Sequence, residues 1–470
     1  MKALPALSFL LLLVACGGGG AGTPPPPTTA PTNLQYATNP CFYRVGEAIP
    51  ANTPSVQGAI TTWSIAPALP AGLSLDPADG TIAGTPAATS STAGYVVTAS
   101  NTDGQTQQTI QLTVGPALPS AFAHLAEGFQ AEVIIEPGTP TPAKIAKFAV
   151  APEPDGRVFY LEVDTGNVRI VDPDTGLQAT PFVTLNVLQG GHHGLLGLVL
   201  APDFATTGYV YVLASVPADE QAMKDDRIVI LRYTDVAGAG TNETIVVDDL
   251  PVAPSMGVNN GGELVFGLDG TLFVSIGDVQ DPANSQADAS TSLAGKILRY
   301  DVSSLPATIP GDNPDPTSPE WCRGLRNTFG LAVHPTTGDL FGLDNGPAAD
   351  DELNYLAAGR NFEWGGTPPP PVGFRIRNWQ TVIVPTALCW HDGTGWGNEY
   401  VGDLFIAAYD DHKIHRFEMS GSAFVDLDRE SDFAEFELDA SANHPLDVCM
   451  AEDGSLYVST FSGIYRISKQ

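Results

Sequence analysis

The amino-acid sequence predicts an all-β protein in which an N-terminal β-sandwich precedes a six-bladed β-propeller. The first observation is a strand–turn–strand pattern that recurs six times, about 60 residues apart on average, between Phe148 and the C-terminus. The second is that apolar residues in this region show almost no helical period. The third is a Thr- and Val-rich segment before it, where apolar and polar residues alternate between short turns.

The N-terminus resembles the signal of a bacterial lipoprotein. Residues 1–16 contain a positive Lys2, an apolar run too short to span a bilayer, and a Leu-Val-Ala-Cys box that ends at Cys16. The resemblance implies that Cys16 is lipidated and that the protein is exported and anchored at the bacterial outer membrane or cell surface. Residues 17–33 are rich in Gly and Pro and predict a linker.

The charge balance limits the partners of the protein. The chain of 470 residues carries 53 acidic and 21 basic residues, a formal net charge of -32. Such a surface repels phosphate backbones, so the sequence predicts that no nucleic acid is bound. We expect no membrane contact other than the N-terminal lipid.

Four further cysteines follow Cys16 in the sequence. Because export permits disulfides, Cys322 and Cys389 form the pair that we single out for testing. Cys449 lies in an apolar strand pattern and is predicted to be a buried thiol. No Cys or His cluster has the spacing of a zinc site.

Residues 34–116 predict a small β-sandwich. Their segment PALPAGLSLDPADGTIAGTP resembles the Ig-like repeats of bacterial surface proteins. The resemblance implies a spacer or adhesive module that carries no chemistry of its own.

Residues 125–470 contain the six repeats and predict the propeller. Each repeat is an apolar strand, a turn with Asp, Gly or Pro, and a second strand. The segment LAEGFQAEVIIEP, which starts at Leu125, precedes the first repeat. We expect it to close the ring by adding a strand to the last blade.

Five segments near the predicted inner strands together resemble the soluble glucose/sorbosone dehydrogenase family. They are GGHHGLLGLVLAPDF, VNNGGELVFGLDGTLFVSIGD, SLAGKILRYD, GLRNTFGLAVHP and DNGPAADDELNYLAAGRNFEWGG. The resemblance covers roughly residues 125–467, and it is the combination of segments that is specific. It implies a quinoprotein oxidoreductase that acts on the CH–OH group of a sugar or related alcohol.

The resemblance also implies a cofactor site at the mouth of the propeller, with pyrroloquinoline quinone above a calcium ion. The pair Arg326-Asn327 matches the quinone contact, and an Arg fork suits a carboxylate-bearing cofactor. The corner Gly346-Pro347 matches the calcium ligands, whose backbone carbonyls are the hard oxygens that calcium prefers. The acidic run from Asp350 to Glu352 is either solvated or part of this site.

Several positions depart from the family pattern. Asn259 stands where the family has its catalytic His, and an amide cannot accept the proton released in hydride transfer. A family Lys is replaced at or near Asp410, and two family Arg fall near His444 and Leu446. These losses weaken the expected attraction for an anionic quinone.

Histidines near the same mouth offer substitutes. They are His192, His193, His412 and His444. One of them is expected to act as a replacement base, or several to bind a metal, and the sequence leaves both alternatives open. We select His192 as the candidate base because the family places a polar quinone contact at that point.

Two functions therefore compete. The first is a quinone-dependent sugar or alcohol dehydrogenase, which Arg326-Asn327 and Gly346-Pro347 favour. The second is a non-catalytic propeller that binds a surface glycan, a peptide or a cation, which Asn259 and the lost cations favour. The fold alone cannot separate them.

Overall fold

The computed structural model describes residues 29–135, 144–219, 223–365, 374–393, 395–438 and 443–470. Within this range the structure is almost entirely β. The chain divides into two compact units, one ending at Val114 and the other beginning at Gly115. The predicted lipidation site, Cys16, and most of the predicted linker lie outside the described residues.

The first unit is an Ig-like domain, as predicted. A four-stranded antiparallel sheet in the order β2-β8-β7-β4 forms its centre, and β1-β3 and β5-β6 form two-stranded sheets. Gly80 is required at its turn because its φ is +78° and a Cβ atom there would lie 2.6 Å from the Trp63 ring. The strands are β1 (Thr32–Tyr36), β2 (Cys41–Arg44), β3 (Pro54–Gln57), β4 (Thr62–Ala66), β5 (Leu73–Leu75), β6 (Ile82–Gly84), β7 (Ser90–Asn101) and β8 (Gly104–Gly115).

The second unit begins with β9 (Phe122–Leu125) and β10 (Phe129–Ile135) and continues through strands that form sheets of four or five. In the first half these are β11 (Ile145–Val150), β12 (Val158–Glu162), β13 (Asn167–Asp172), β14 (Gly176–Leu177), β15 (Val183–Thr184), β16 (Leu195–Leu200), β17 (Tyr209–Val216), β18 (Arg227–Val236), β19 (Ala239–Leu250), β20 (Leu264–Phe266), β21 (Leu272–Ile276), β22 (Lys296–Tyr300) and β23 (Glu320–Arg323).

In the second half the strands are β24 (Thr328–Val333), β25 (Leu340–Asp344), β26 (Asp351–Tyr355), β27 (Arg375–Trp379), β28 (Pro385–Trp390), β29 (Leu404–Ala408), β30 (Lys413–Ser420), β31 (Asp426–Phe436), β32 (Pro445–Met450), β33 (Leu456–Thr460) and β34 (Ile464–Lys469). The described part of this unit also contains two short helices, α1 (Phe204–Thr207) and α2 (Pro282–Gln286), and a 3-10 turn, Asn398–Tyr400. No described helix is long and apolar enough to cross a bilayer.

The sheets of this unit are the six blades that the repeats predict. In chain order, blades 1 to 6 begin with β11, β16, β20, β24, β28 and β32. Each of these first strands contacts the next one, and β32 contacts β11, so the inner strands close a ring. Large apolar clusters fill the spaces between blades, for example Phe159 and Ile170 of blade 1 against Val210 and Val212 of blade 2.

The ring is closed by the N-terminal part of the unit. β10 pairs antiparallel with β34 and becomes the outer strand of blade 6, which confirms the predicted closing strand. β9 pairs with β31 and adds a fifth strand to blade 5. This strand begins at Phe122, before the predicted start of the propeller at residue 125.

The predicted pairing of Cys322 with Cys389 is wrong, since both are free thiols. Cys322 lies on β23, the outer strand of blade 3, whereas Cys389 lies on β28, the inner strand of blade 5. Cys449 is also free but only half-buried, and burial raises the pKa of its thiol to about 12.

Candidate functional site

A cavity of about 320 Å³ lies at the mouth of the ring. Its walls are made by residues of five blades, which lie at or before the start of the inner strand or directly after the end of the second strand. These positions meet because antiparallel neighbouring strands start and end at the same face. The lining side chains used below are Lys144, Asp164, His192, Asn327, Asn345, Tyr409 and Phe461. Of the predicted site residues, His192, His193 and Asn327 therefore line one cavity, whereas Arg326 and the Gly346-Pro347 corner are not among its lining residues.

The loop that carries Arg326 and Asn327 is fixed by a buried carboxylate. Asp344 Oδ1 accepts the backbone N–H of Asn327 at 2.8 Å and the hydroxyl of Thr328 at 3.1 Å, and Oδ2 accepts the N–H of Arg326 at 3.0 Å. Burial, which outweighs these hydrogen bonds, raises the pKa of Asp344 to about 6. The carboxylate thus holds both predicted quinone contacts in place.

The Asn327 side chain joins this loop to the neighbouring segment. Its Oδ1 accepts the N–H of Gly261 at 3.0 Å, and its amide nitrogen has no hydrogen-bond partner among the described residues. That nitrogen is a donor available to a ligand, because Asn327 lines the cavity.

Asn259 occupies a strained and tightly held position. It is buried, its φ is +66°, and its Nδ2 donates to Asp278 Oδ1 at 2.9 Å. Asp278 also accepts the indole N–H of Trp364 at 2.9 Å. The amide is therefore oriented by a carboxylate, and no acceptor basic enough to take a proton is present at residue 259.

The guanidinium of Arg326 is bound by carbonyl groups and by an aromatic ring. Its Nη1 donates to the carbonyl oxygens of Asn345 at 2.8 Å and Gly346 at 3.0 Å, and its Cζ lies 5.7 Å from the Trp364 ring centre. No carboxylate of the described residues forms an ion pair with it. In a chain with a net charge of -32, a guanidinium without an ion-pair partner among the described residues has N–H donors that suit an anion.

His192 and His193 follow one another but have different environments. His192 Nδ1 accepts the N–H of Asn259 at 3.3 Å, which places the proton of the neutral ring on Nε2. Burial, and then the positive charge of Arg326, lowers the pKa of His192. His193 also lines the cavity but is buried, with Nε2 on the Pro254 carbonyl at 3.1 Å and Nδ1 3.4 Å from Asn260 Nδ2, so both ring nitrogens already have partners.

The other two predicted histidines lie behind the wall of the cavity. His444 stacks on Tyr409 at 3.9 Å between ring centres, and its Nδ1 is 2.7 Å from the Tyr409 carbonyl. The His412 ring lies 4.1 Å from His444. Tyr409, rather than either His, lines the cavity. The described residues contain no group of three or more His, Cys, Asp or Glu that can hold a metal, so the metal alternative has no support here.

Residues 145–463 match the family described as Glucose / Sorbosone dehydrogenase. The chain belongs to this family. Residues 25–115 separately match an Ig-domain family. The match confirms the predicted resemblance to this family. It does not address the individual site residues, whose positions come from the contacts described above.

Two glucose/sorbosone dehydrogenase relatives resemble the propeller. The quinoprotein glucose dehydrogenase B of Acinetobacter calcoaceticus is 30% identical over 275 residues, 53% of this chain and 55% of that protein. The aldose sugar dehydrogenase YliI of Escherichia coli is 30% identical over 223 residues, 46% of this chain and 58% of that protein. The aligned part is thus just over half of each relative.

Solved structures share the fold. The apo form of the soluble aldose sugar dehydrogenase from Escherichia coli superposes with a TM-score of 0.61 at 22% identity, covering 73% of this chain and all (100%) of that one. The PQQ-bound aldose sugar dehydrogenase from Streptomyces coelicolor gives a TM-score of 0.57 at 24% identity, covering 75% of this chain and 99% of that one. At these identities the likeness shows the propeller alone.

The sequence prediction missed a cation at the mouth of this glucose/sorbosone dehydrogenase propeller. Lys144 lines the cavity, pairs with Asp164 at 3.3 Å, and lies 6.0 Å from the Phe461 ring centre. It directly precedes β11, the inner strand of blade 1, just as Asn327 directly precedes β24. That shared position before an inner strand is the signal that identifies it. Leu446, near which the resemblance implies an Arg, also lines the cavity.

A buried lysine joins the inner strands of the ring. Lys147 is 1% exposed, and its ammonium contacts Glu263 at 2.6 Å, Asp447 at 3.6 Å, and the carbonyls of Phe329 and Thr386 at 3.3 Å each. These groups belong to blades 1, 3, 4, 5 and 6, so one side chain ties five blades. Burial opposes its charge, but Asp447 and then Glu263 raise the pKa of Lys147 overall.

Proposed function

We propose that the mouth cavity binds an anionic quinone and that the protein oxidises a sugar or related alcohol. The observation that carries the proposal is the unpaired guanidinium of Arg326 beside the free amide nitrogen of Asn327, in a chain of the glucose/sorbosone dehydrogenase family. Relatives named quinoprotein glucose dehydrogenase and PQQ-bound aldose sugar dehydrogenase support the cofactor class. A quinone supplies a two-electron acceptor for the hydride of the substrate.

The residues present fit an anionic, carbonyl-bearing ligand. Arg326 and Lys144 provide positive charge for carboxylates, and the amide of Asn327 donates to a carbonyl oxygen. His192 carries its proton on Nε2 in the tautomer set by Asn259, which gives a second neutral donor. We propose that these two cations replace part of the charge that the resemblance implies at or near Asp410, His444 and Leu446.

A substrate hydroxyl has a matching acceptor in the same cavity. Asn345 is 7% exposed, and its Oδ1 is buried with no hydrogen-bond partner among the described residues. A buried acceptor of this kind is costly unless a donor fills it. We assign it to a hydroxyl group of the sugar or alcohol, which contacts it once the Asn345 amide turns toward the cavity.

The proton released with the hydride needs an acceptor other than Asn259. His192, the candidate from the sequence, can take it only after Nδ1 releases the N–H of Asn259, because Nε2 is already protonated. Asp164 is a second candidate, since its carboxylate lines the cavity and its partner is the exposed Lys144. Comparing His192→Gln with Asp164→Asn separates them: the variant that lacks the acceptor loses turnover while keeping its affinity for the quinone.

The test of the function is reconstitution with pyrroloquinoline quinone, followed by assays of aldoses and simple alcohols with an artificial dye acceptor. Turnover that disappears in Arg326→Met supports the proposal. Quinone binding without turnover on any of these substrates points instead to the non-catalytic binding module, which the named relatives do not favour. Absence of quinone binding would remove the proposal.

We further propose that the protein is exported and lipid-anchored through Cys16 at the outer membrane or cell surface, with the Ig-like domain as a spacer. The Leu-Val-Ala-Cys box and the short apolar run of residues 1–16 support this. Mass spectrometry of the membrane fraction is expected to find a diacylated N-terminal Cys16. A soluble mature form cut at another residue contradicts the anchor.

A further inference from the structure

One of the two carbonyls predicted to bind calcium at the Gly346-Pro347 corner, that of Gly346, is already occupied. The carbonyl oxygens of Asn345 and Gly346 both accept the Nη1 of Arg326, at 2.8 and 3.0 Å. Calcium takes six to eight oxygen ligands at about 2.3–2.6 Å. A calcium ion on the Gly346 carbonyl would lie within about 5.5 Å of the guanidinium nitrogen, and the two positive charges would repel.

The acidic run beside the corner is not available either. Asp351 is fully buried; its Oδ1 accepts the N–H of Gly346 at 2.9 Å, and its Oδ2 accepts the N–H groups of Ile383 and Val384 at 2.8 and 2.9 Å. Glu352 pairs with Arg375 at 2.5 Å. Asp350 is exposed and accepts from Gln380. Asp351 therefore connects blade 4 to the residues that directly precede β28 of blade 5, and its oxygens are not free to bind a metal.

We infer that Arg326 takes the place of the metal in this chain. Its guanidinium is the cation that the Asn345 and Gly346 carbonyls bind, and the mouth of the propeller binds its ligand independently of calcium. The two carbonyl contacts and the Trp364 ring hold the guanidinium, while its remaining N–H groups make no hydrogen bond with the described residues. The ligand class is an anion with adjacent carbonyl or carboxylate oxygens, which a planar fork of donors matches. The inference rests on the proposed quinone function for the identity of that ligand.

The test has two independent arms. In the first arm, terbium replaces calcium, and its luminescence is excited by energy transfer from tryptophan. Trp364 contacts Arg326 next to the Gly346-Pro347 corner, so we expect Trp364 to sensitise a terbium ion bound at that corner. We expect equal emission from wild type and Trp364→Phe, and a new Trp364-dependent emission in Arg326→Met, where the carbonyls are freed. Arg360→Met is the control for loss of an exposed arginine, since Arg360 stacks on Phe374 instead. Emission from wild type that disappears in Trp364→Phe overturns the inference.

In the second arm, the affinity for pyrroloquinoline quinone is measured with excess calcium and with excess EGTA. We expect the two dissociation constants to agree within about twofold, whereas a calcium-bridged ligand loses at least about tenfold on chelation, equivalent to about 1.4 kcal/mol. A tenfold loss overturns the inference. If the quinone binds under neither condition, the proposed function fails, and the terbium arm still decides whether the corner holds a metal.

Discussion

Asp344 accepts the backbone N–H groups of Arg326 and Asn327 with one buried carboxylate, at 3.0 Å and 2.8 Å. The two residues that present donors at the mouth are therefore positioned by a third residue, on β25, that lines no part of the cavity. Because hydrogen bonds to a charged group contribute about 1.5–3 kcal/mol each, this carboxylate matters both for the loop and for the ligand.

Replacing Asp344 by Asn is expected to loosen the loop without removing a cavity side chain. The amide can still accept, but only weakly, so we expect a loss of about 1–3 kcal/mol in the free energy of unfolding and a weaker quinone affinity. Urea denaturation and equilibrium binding measure the two effects. An Asp344→Asn protein with wild-type affinity for the quinone would show that the Arg326-Asn327 loop does not need this support.

Lys147→Met is expected to destabilise the propeller by about 3–5 kcal/mol, because Glu263 and Asp447 are left buried without a cation. Lys144→Met is the matched control three residues earlier. Its exposed pair with Asp164 contributes only about 0–1 kcal/mol. Chemical denaturation of both variants tests the difference, and an equal, small effect in both would mean that Lys147 does not hold the blades together.

Glu263 predicts a pH dependence of stability. Burial is the main cause that raises the pKa of Glu263 to about 7 from a reference value of 4.5. The positive charge of Lys147 opposes this rise, and the negative charge of Asp447 adds to it. The folded state thus binds this proton more tightly than the unfolded state, and the resulting stability is complete below pH 4.5 and is lost as pH rises through about 7. We expect the difference in unfolding free energy between wild type and Glu263→Gln to change across this window by on the order of 1–3 kcal/mol. If the unfolding free energies of the two proteins change with pH in parallel, Glu263 does not have the raised pKa.

Asn259→His tests whether the mouth lacks only a base. Asp278, which now accepts from Asn259 Nδ2, can accept from one nitrogen of a new imidazole and leave the other free as the proton acceptor. The positive φ of +66° at this residue is tolerated by His better than by most side chains. We expect dye reduction with aldoses to rise by about 10²-fold or more. Unchanged turnover despite quinone binding would place the missing element elsewhere in the cavity.

Much of the fold follows from the sequence because it depends on local patterns. The six repeats and the strand that starts near Phe129 lead to the ring and its closure. Asn327 and His192 line the mouth cavity because they lie shortly before the inner strands β24 and β16. These are properties that a short window of sequence contains.

The remaining features depend on contacts between distant segments. The partners of Lys147 lie on four other blades, and Asp351 is saturated by N–H groups more than 30 residues away, at Ile383 and Val384. The contact of Arg326 with the Gly346 carbonyl likewise depends on the direction in which the Arg326 side chain points, which the sequence does not specify. No local pattern specifies which distant group an ion meets, so the sequence predicts calcium at the Gly346-Pro347 corner, whereas we infer that Arg326 supplies the cation there.

The most direct measurement of the central claim is the equilibrium affinity of the purified protein for pyrroloquinoline quinone, followed by tryptophan fluorescence, in wild type, Arg326→Met and Arg360→Met. Arg326 is at the mouth and bound to carbonyls, whereas Arg360 is an exposed arginine on Phe374. If Arg326 is the anion-binding group of the cavity, its loss weakens binding by about tenfold or more, as expected for a charge-assisted contact, while Arg360→Met binds like wild type. Equal affinity in all three proteins, or no binding by wild type, contradicts the claim.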